Sequence, residues 1–366
     1  MTNQAIARAR LRNARLAGAP LATPLEVVRW FGAVQSQDVP GALWALAQRM
    51  PAGATMAGLG RALDAGEIVR LHALRPTWHF LAPDELRWIQ ALTGPRVHVA
   101  NGSLYRTLRL RTDDTAGATA VFREVLAGGR ALTRAELGTA VARLGLDRSN
   151  SLVITCLAMH AELESVICSG PRRGKQLTYQ LVDERIPAVP GPPRARDDSL
   201  RDLVVRYFTS HGPATAHDAS WWSGLTVTDV RRGIALGADE LEERTMDGTR
   251  YWAGRGGYEP ADLPRPFVAL LSNYDEFLGS YADYSPVYDA SLPKPRTVAD
   301  VLGAHIVIRD GLVVGGWRRA LAERSATITV TLLVPFSAAH HAALEAEVRN
   351  YEAFVERPVE LRFNEP

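Results

Sequence analysis

The spacing of apolar and polar positions predicts a chain of short helices and hairpins. Ile6, Leu11 and Leu16 stand among four arginines and predict a basic helix over residues 5–16. Thr23 before Pro24 marks a second helix start, with Leu25, Val28 and Phe31 on its apolar face. Pro40-Gly41 predicts an interruption. Residues 42–49 then resume as an apolar helix or loop, and 56–63 as a short helix. Residues 68–74 and 78–81 read as two strands joined around Pro76.

The next stretch is more sharply patterned. Thr133 and Glu136 form a capping box before a helix over 134–144, which Gly145 closes. Asn150 or Ser151 opens a longer apolar helix to about Leu163. Strand 165–168, a turn of Gly, Pro and cations over 170–175, and strand 176–182 follow. Helix, turn, helix and a basic-tipped hairpin is the winged-helix pattern. A Pro-rich linker over 188–196 separates it from a second copy. There, Leu200, Leu203, Val204 and Tyr207 share one helix face, Thr215 caps the next helix, and Thr226 or Thr228 caps a third. Asp247-Gly248 then turns a hairpin. The N-terminal third reads as a degenerate first copy. After Pro260 the pattern changes. Residues 270–280 carry Asn273-Tyr274-Asp275-Glu276, Asp310-Gly311 turns another hairpin, and a strand (327–334), a helix (338–355) and a strand (359–363) follow.

The expected fold class is therefore α+β, with tandem winged-helix domains (helix-turn-helix plus β-hairpin) and a C-terminal α+β domain. The expected boundaries are 1–115, 116–190, 197–258 and 259–366. Composition supports packed cores, at 46% hydrophobic and 22% charged residues over 366 positions. No run approaches the roughly 18 apolar residues of a membrane span. The first 20 residues lack the apolar segment of a signal peptide, and two cysteines are too few for a disulfide framework. A cytoplasmic monomer without membrane contact is expected.

Charge changes the picture more. Residues 1–112 hold 14 Arg against 6 acids, a net of +8, and the remainder of the chain carries −6. Such separation marks a polyanion-facing end. Lysine occurs only as Lys175 and Lys294, against 40 Arg. A GC-rich genome accounts for the choice of Arg over Lys, but not for where the charge sits.

Several enzyme signatures are absent: a Gly-rich phosphate loop, a Gly-x-Ser-x-Gly elbow and His-Glu-x-x-His. His340 and His341 are adjacent and point to different sides of a helix. No metal and no cofactor is expected. Winged helices alone argue for a DNA-binding regulator without catalysis. Gln35-Ser36-Gln37 argues for something else. Two amides two residues apart share a direction on extended chain. A glutamine orients a water or a sugar oxygen but removes no proton at neutral pH. It suffices only where the leaving group needs no protonation, as with an N7-alkylated purine, whose base is already cationic. Ordinary surface amides at a helix end are the competing reading.

Gln35-Ser36-Gln37, the run 41–49 (GALWALAQR) and the run 75–81 (RPTWHFL) together resemble the AlkZ/YcaQ family of winged-helix DNA glycosylases, which includes azinomycin-resistance glycosylases. Residues 275–283 and 313–319 resemble the family's C-terminal signatures. The resemblance implies a tandem winged-helix scaffold around a basic channel and excision of bulky N7-alkylguanine adducts from double-stranded DNA, with unhooking of interstrand cross-links in some members. Gln35 and Gln37 match the family's Gln-x-Gln catalytic motif. Its middle position is usually aliphatic, whereas here it is Ser36. Asp38 lies one place beyond the motif and takes no role from the family's Gln-x-Asp branch, leaving it an electrostatic part at most.

His79, between Trp78 and Phe80, is a lesion-pocket candidate together with Trp78, or else a satisfied histidine in a half-buried strand. Arg87, Arg96, Arg106, Arg109 and Arg111, in an acid-free segment with Tyr105 and an expected flexible Asn101-Gly102, suit phosphate contact. So do Arg172, Arg173 and Lys175 at the hairpin turn, and Arg318 and Arg319 after another. A plain solvated surface competes for each. Asp275 and Glu276 read as an inter-domain tie rather than chemistry.

Overall fold

The computed structural model describes residues 3–146, 150–188, 191–263, 266–288 and 305–364. Four helices open the chain: α1 (Asn3–Asn13), α2 (Pro24–Phe31), α3 (Val39–Ala47) and α4 (Met56–Ala65). The side chains of Thr23 and Thr55 accept the backbone N–H of Glu26 and Gly58, capping α2 and α4. Pro40 does not interrupt the chain as expected. It lies in the first turn of α3, where a missing N–H costs nothing.

Strands β1 (Val34–Gln35), β2 (Val69–Ala73) and β3 (Thr77–Leu81) form an antiparallel sheet in the order β1-β3-β2, with Val34 opposite Phe80 and Gln35 opposite His79. Helix α5 (Leu86–Thr107) is continuous over 22 residues, including the stretch expected to be flexible. Gly102 weakens a helix by about 1 kcal/mol, but Leu92, Val97 and Asn101 are buried, and Asn101 bonds Met159 Sδ on a facing helix. Tertiary packing overrides the local glycine.

Helices α6 (Thr112–Leu126), α7 (Arg134–Val141) and α8 (Ser151–Leu163) surround one core, with strands β4 (Leu132–Thr133), β5 (Ile167–Arg173) and β6 (Gln176–Leu181) in the order β4-β6-β5. The Thr133–Glu136 capping box is present, and Asn150 caps α8. A short helix, α9 (Val182–Arg185), leads through the linker to α10 (Arg196–His211), α11 (Ala216–Ser223) and α12 (Val227–Leu236). The hairpin of β7 (Leu241–Met246) and β8 (Thr249–Gly254) turns at Asp247-Gly248, both at positive φ as a tight primed turn requires.

The last region carries β9 (Val268–Leu271), a one-turn helix α13 (Glu276–Gly279), β10 (His305–Arg309), β11 (Leu312–Leu321), β12 (Ala326–Leu332), α14 (Ala338–Val355) and β13 (Val359–Asn364). The sheet order is β13-β12-β11-β10-β9, with only β12–β13 parallel. The largest core is shared between the two ends of the chain. Ala7, Leu11, Phe31, Trp44 and Leu46 pack with Leu271, Phe277, Trp317, Tyr351 and Phe354. A second core joins β2 and α5 to α10–α12. Among the described residues, no helix is long and apolar enough to cross a membrane.

Candidate active site

Gly32 ends α2 at φ +84°, and the chain enters the edge strand β1. Ser36 N–H donates to Trp78 O at 2.7 Å, so the extended conformation continues past Gln35. The N–H of Gln35 faces away from the sheet, where an edge strand has no backbone partner. Glu276 Oε1 accepts it at 2.7 Å. The Gln35 side chain is buried, and its Oε1 accepts from Arg75 Nη2 at 3.0 Å. Gln37 is exposed, with no side-chain hydrogen bond among the described residues. The motif thus holds one pinned amide and one open to a ligand.

Arg75 sits in the turn between β2 and β3. Leu74 just before it has φ +59°, and Gly224 at the end of α11 presses on that turn. A Cβ on Gly224 would stand 2.2 Å from Leu74 O, so only glycine allows the approach. The Arg75 guanidinium lies 5.5 Å from the ring centroid of Trp221.

Glu276 is buried, and burial works against its charge. Hydrogen bonds from His211, Ser280 and the Gln35 N–H outweigh that and bring its carboxyl down to about 2. Trp222 Nε1 donates to it as well, at 3.1 Å. The carboxylate anchors the motif strand and has no proton to give. Its neighbour Asp275 receives Arg49 through two hydrogen bonds at 2.8 and 2.9 Å and caps α13 through Phe277 N–H. Arg49 also donates to the carbonyls of Ala14 and Ala45. Both acids therefore tie the N-terminal helices to the C-terminal region. Asp38 pairs with Arg319, a third tie of the same kind.

The strand pleat sorts the aromatic candidates. His79 lies opposite Gln35, fully buried, with Nδ1–H donating to Thr77 O at 3.0 Å. Burial, with the nearby Arg75 charge, pushes its imidazole down to about 3, so it is neutral at physiological pH. It is closed off from solvent. Trp78 is half-buried on the other face, 4.1 Å from the His72 ring and 4.6 Å from the Arg70 guanidinium.

The expected phosphate-contacting cations divide into two sets. Arg87 pairs with Asp183, Arg111 with Asp114, Arg172 with Asp64, Arg173 with Glu136 and Arg319 with Asp38. Arg87 also donates to Ile186 O, which makes it a strut between α5 and the end of α9. Arg96, Arg106, Arg109, Lys175 and Arg318 are exposed and carry no ion pair among the described residues. Arg318 and Arg319 lie inside β11 rather than beyond a hairpin, and the pleat sends one outward and the other to Asp38. Lys294 lies outside the described residues.

Candidate metal ligands are drawn together at His98, His160 and Glu164, within 4.8 Å of one another. They sit on α5 and at the end of α8, not on the motif strand, and His98 Nε2 already meets Glu164 at 2.9 Å.

Ser36 is fully buried, and its hydroxyl has no partner among the described residues. A buried unsatisfied hydroxyl costs about 1 kcal/mol or more. Ser36→Ala is therefore expected to raise stability by about 1 kcal/mol in urea unfolding; a decrease would show that the hydroxyl is bonded.

Sequence reasoning singled out neither Arg75 nor His211. Arg75 stands at the head of the 75–81 run, which is the one signal that points to it. His211 meets Glu276 across 65 positions and gives no local signal.

The chain matches the AlkZ-like DNA glycosylase family over residues 28–354. It belongs to that family and is a DNA glycosylase. A curated relative, the interstrand DNA cross-link repair glycosylase of Streptomyces sahachiroi, is 27% identical over 278 residues, covering 68% of this chain and 70% of the relative. The solved structure of the Streptomyces sahachiroi DNA glycosylase AlkZ superimposes with a TM-score of 0.78 at 21% identity, covering all of both chains. That likeness shows a shared fold.

Proposed function

We propose that this protein is a monofunctional glycosylase that hydrolyses the N-glycosidic bond of N7-alkylated purines in double-stranded DNA, and that its substrates include interstrand cross-links, as the name of its curated relative indicates. The observation that carries this is that, among the described residues, the two titratable groups packed against the motif strand, Glu276 and His79, offer no proton. Glu276 is ionised and His79 is neutral and sealed. A site of amides suits a base that leaves already cationic. Gln37 orients the attacking water, whose oxygen bonds C1′ as the C1′–N9 electrons neutralise the purine, and the water's proton passes to solvent. Gln35, held by Arg75, supports the motif. The helix and hairpin sets α6–α8 with β5–β6 and α10–α12 with β7–β8 are read as the winged-helix units, and the exposed cations Arg96, Arg106, Arg109, Lys175 and Arg318 as phosphate contacts.

Incubation with an N7-methylguanine duplex followed by alkaline scission is the test. A glycosylase leaves cleavable abasic sites in any sequence context; a winged-helix regulator leaves none and protects one operator. A lyase would need an amine to form a Schiff base. Lys175, distant from Gln35 in sequence, lines the same cleft as Trp78. Borohydride is nonetheless expected to trap no protein–DNA adduct; trapping that disappears in Lys175→Ala would overturn the monofunctional reading.

Neutralising Arg106, Arg109 and Arg111 together is expected to weaken binding to modified and plain duplexes alike. The salt slope should flatten by about 0.9 for each phosphate that the protein no longer neutralises. Arg111, already paired with Asp114, should contribute least. An unchanged slope in anisotropy titrations would make these arginines plain solvated surface.

A further inference from the structure

Behind the motif, between the β1–β3–β2 sheet and the α6–α8 unit, lies a cleft of about 660 Å³. Its lining includes Arg70, Trp78, Arg134, Thr139, Lys175 and Tyr179, and among the described residues contains three cations and no carboxylate. Arg70 is the unusual member. The residue is 8% exposed, and its guanidinium packs on the face of Trp78. Nε donates to Ser36 O at 3.1 Å, and neither terminal nitrogen has a hydrogen-bond partner among the described residues. Glu162, a nearby acid, is committed to His72. Burial brings Arg70 down only to about 10, so it is a cation at neutral pH. Neither terminal nitrogen is among the buried unpartnered atoms, so both open onto the cleft, where an anion can reach them.

We propose that this cleft is a phosphate site for the DNA strand, with Arg70 gripping one backbone phosphodiester through its terminal nitrogens while its Nε holds the Ser36 carbonyl. Arg134 and Lys175 close the site from the facing unit. The fork geometry of a guanidinium suits two phosphate oxygens. One side chain then joins the DNA backbone to the peptide between Gln35 and Gln37, so seating a phosphate fixes the motif. Arg70 is a positioning residue, and the proposal rests on the glycosylase reading above only in taking DNA as the ligand.

The test is a neutral-linkage scan with the full-length protein. A duplex with a tetrahydrofuran abasic-site analogue carries one methylphosphonate, moved along the strand linkage by linkage, and binding is read by fluorescence anisotropy. For the wild type, one linkage near the analogue is expected to weaken binding on the order of 10- to 100-fold. In Arg70→Gln that linkage should no longer matter, while effects at other linkages persist. An Arg70→Gln profile identical to wild type would overturn the proposal. Should Arg70→Gln fold too poorly to bind, the rim variants Arg134→Ala and Lys175→Ala decide. Each is expected to shrink the effect at the same linkage, and an unchanged effect in both overturns it. Because the analogue has no base, failure to excise N7-methylguanine would sink the proposed substrate class and leave this scan intact.

Discussion

Gln37→Ala is expected to lower the excision rate on an N7-methylguanine duplex by about 100-fold, with duplex affinity within about twofold of wild type. The amide is exposed and unbonded among the described residues, so its removal disturbs no internal contact. On the proposed mechanism, what disappears is a fixed dipole that aligns water with C1′, an interaction used mainly in the transition state. Single-turnover rates should fall while anisotropy titrations hardly move. Gln35→Ala is a different experiment. It takes from Arg75 the 3.0 Å acceptor and leaves that guanidinium only two long contacts to Gly279 O, at 3.4 and 3.5 Å. Its phenotype therefore mixes catalysis with local repacking. Full activity in the Gln35→Ala/Gln37→Ala double variant would remove the motif from the mechanism.

Asp275→Ala is expected to destabilise the protein by about 3–5 kcal/mol. Arg49 and Asp275 are 1% and 2% exposed, and Asp275 accepts two of the four hydrogen bonds made by that guanidinium. Removing the carboxylate strands a cation in a dry core, and also uncaps α13, whose first residue is Glu276. Stability measured in urea and activity should fall together. Replacing both partners with apolar residues, Arg49→Met with Asp275→Leu, should recover much of the stability, since no charge is then left unpaired. A destabilisation by Asp275→Ala alone of less than about 1 kcal/mol would mean that the pair is solvated or replaced.

Periodicity and capping residues made much of the fold legible. Thr23, Thr133, Thr215 and Thr226 cap helices where the sequence places them. The Asp-Gly pairs turn the hairpins at 247–248 and 310–311. The misreadings come from local signals that packing overrides. Pro40 falls in a helix's first turn, and Gly102 sits in a helix braced by α8. At the site, the Gln pair was marked by the family resemblance, since its spacing alone equally suits surface amides at a helix end. Which face of β3 is buried was not visible. His79 and Trp78 are adjacent letters, and only the register that sets Gln35 opposite His79 decides that the histidine is sealed and the tryptophan half-open. The pairing of Arg87, Arg172 and Arg319 was equally hidden, because Asp183, Asp64 and Asp38 lie far away in sequence.

The brace between Gln35 and Glu276 spans 241 positions. On the ribosome that interval lasts on the order of 10 to 50 s at typical elongation rates. During all of it the strand bearing the motif lacks the carboxylate that satisfies its edge, and its helices lack the sheet that completes their core. A nascent chain, or one broken before α13, would carry both glutamines and much of the basic surface without an assembled site. The motif strand would thus stay without its brace until α13 has been made.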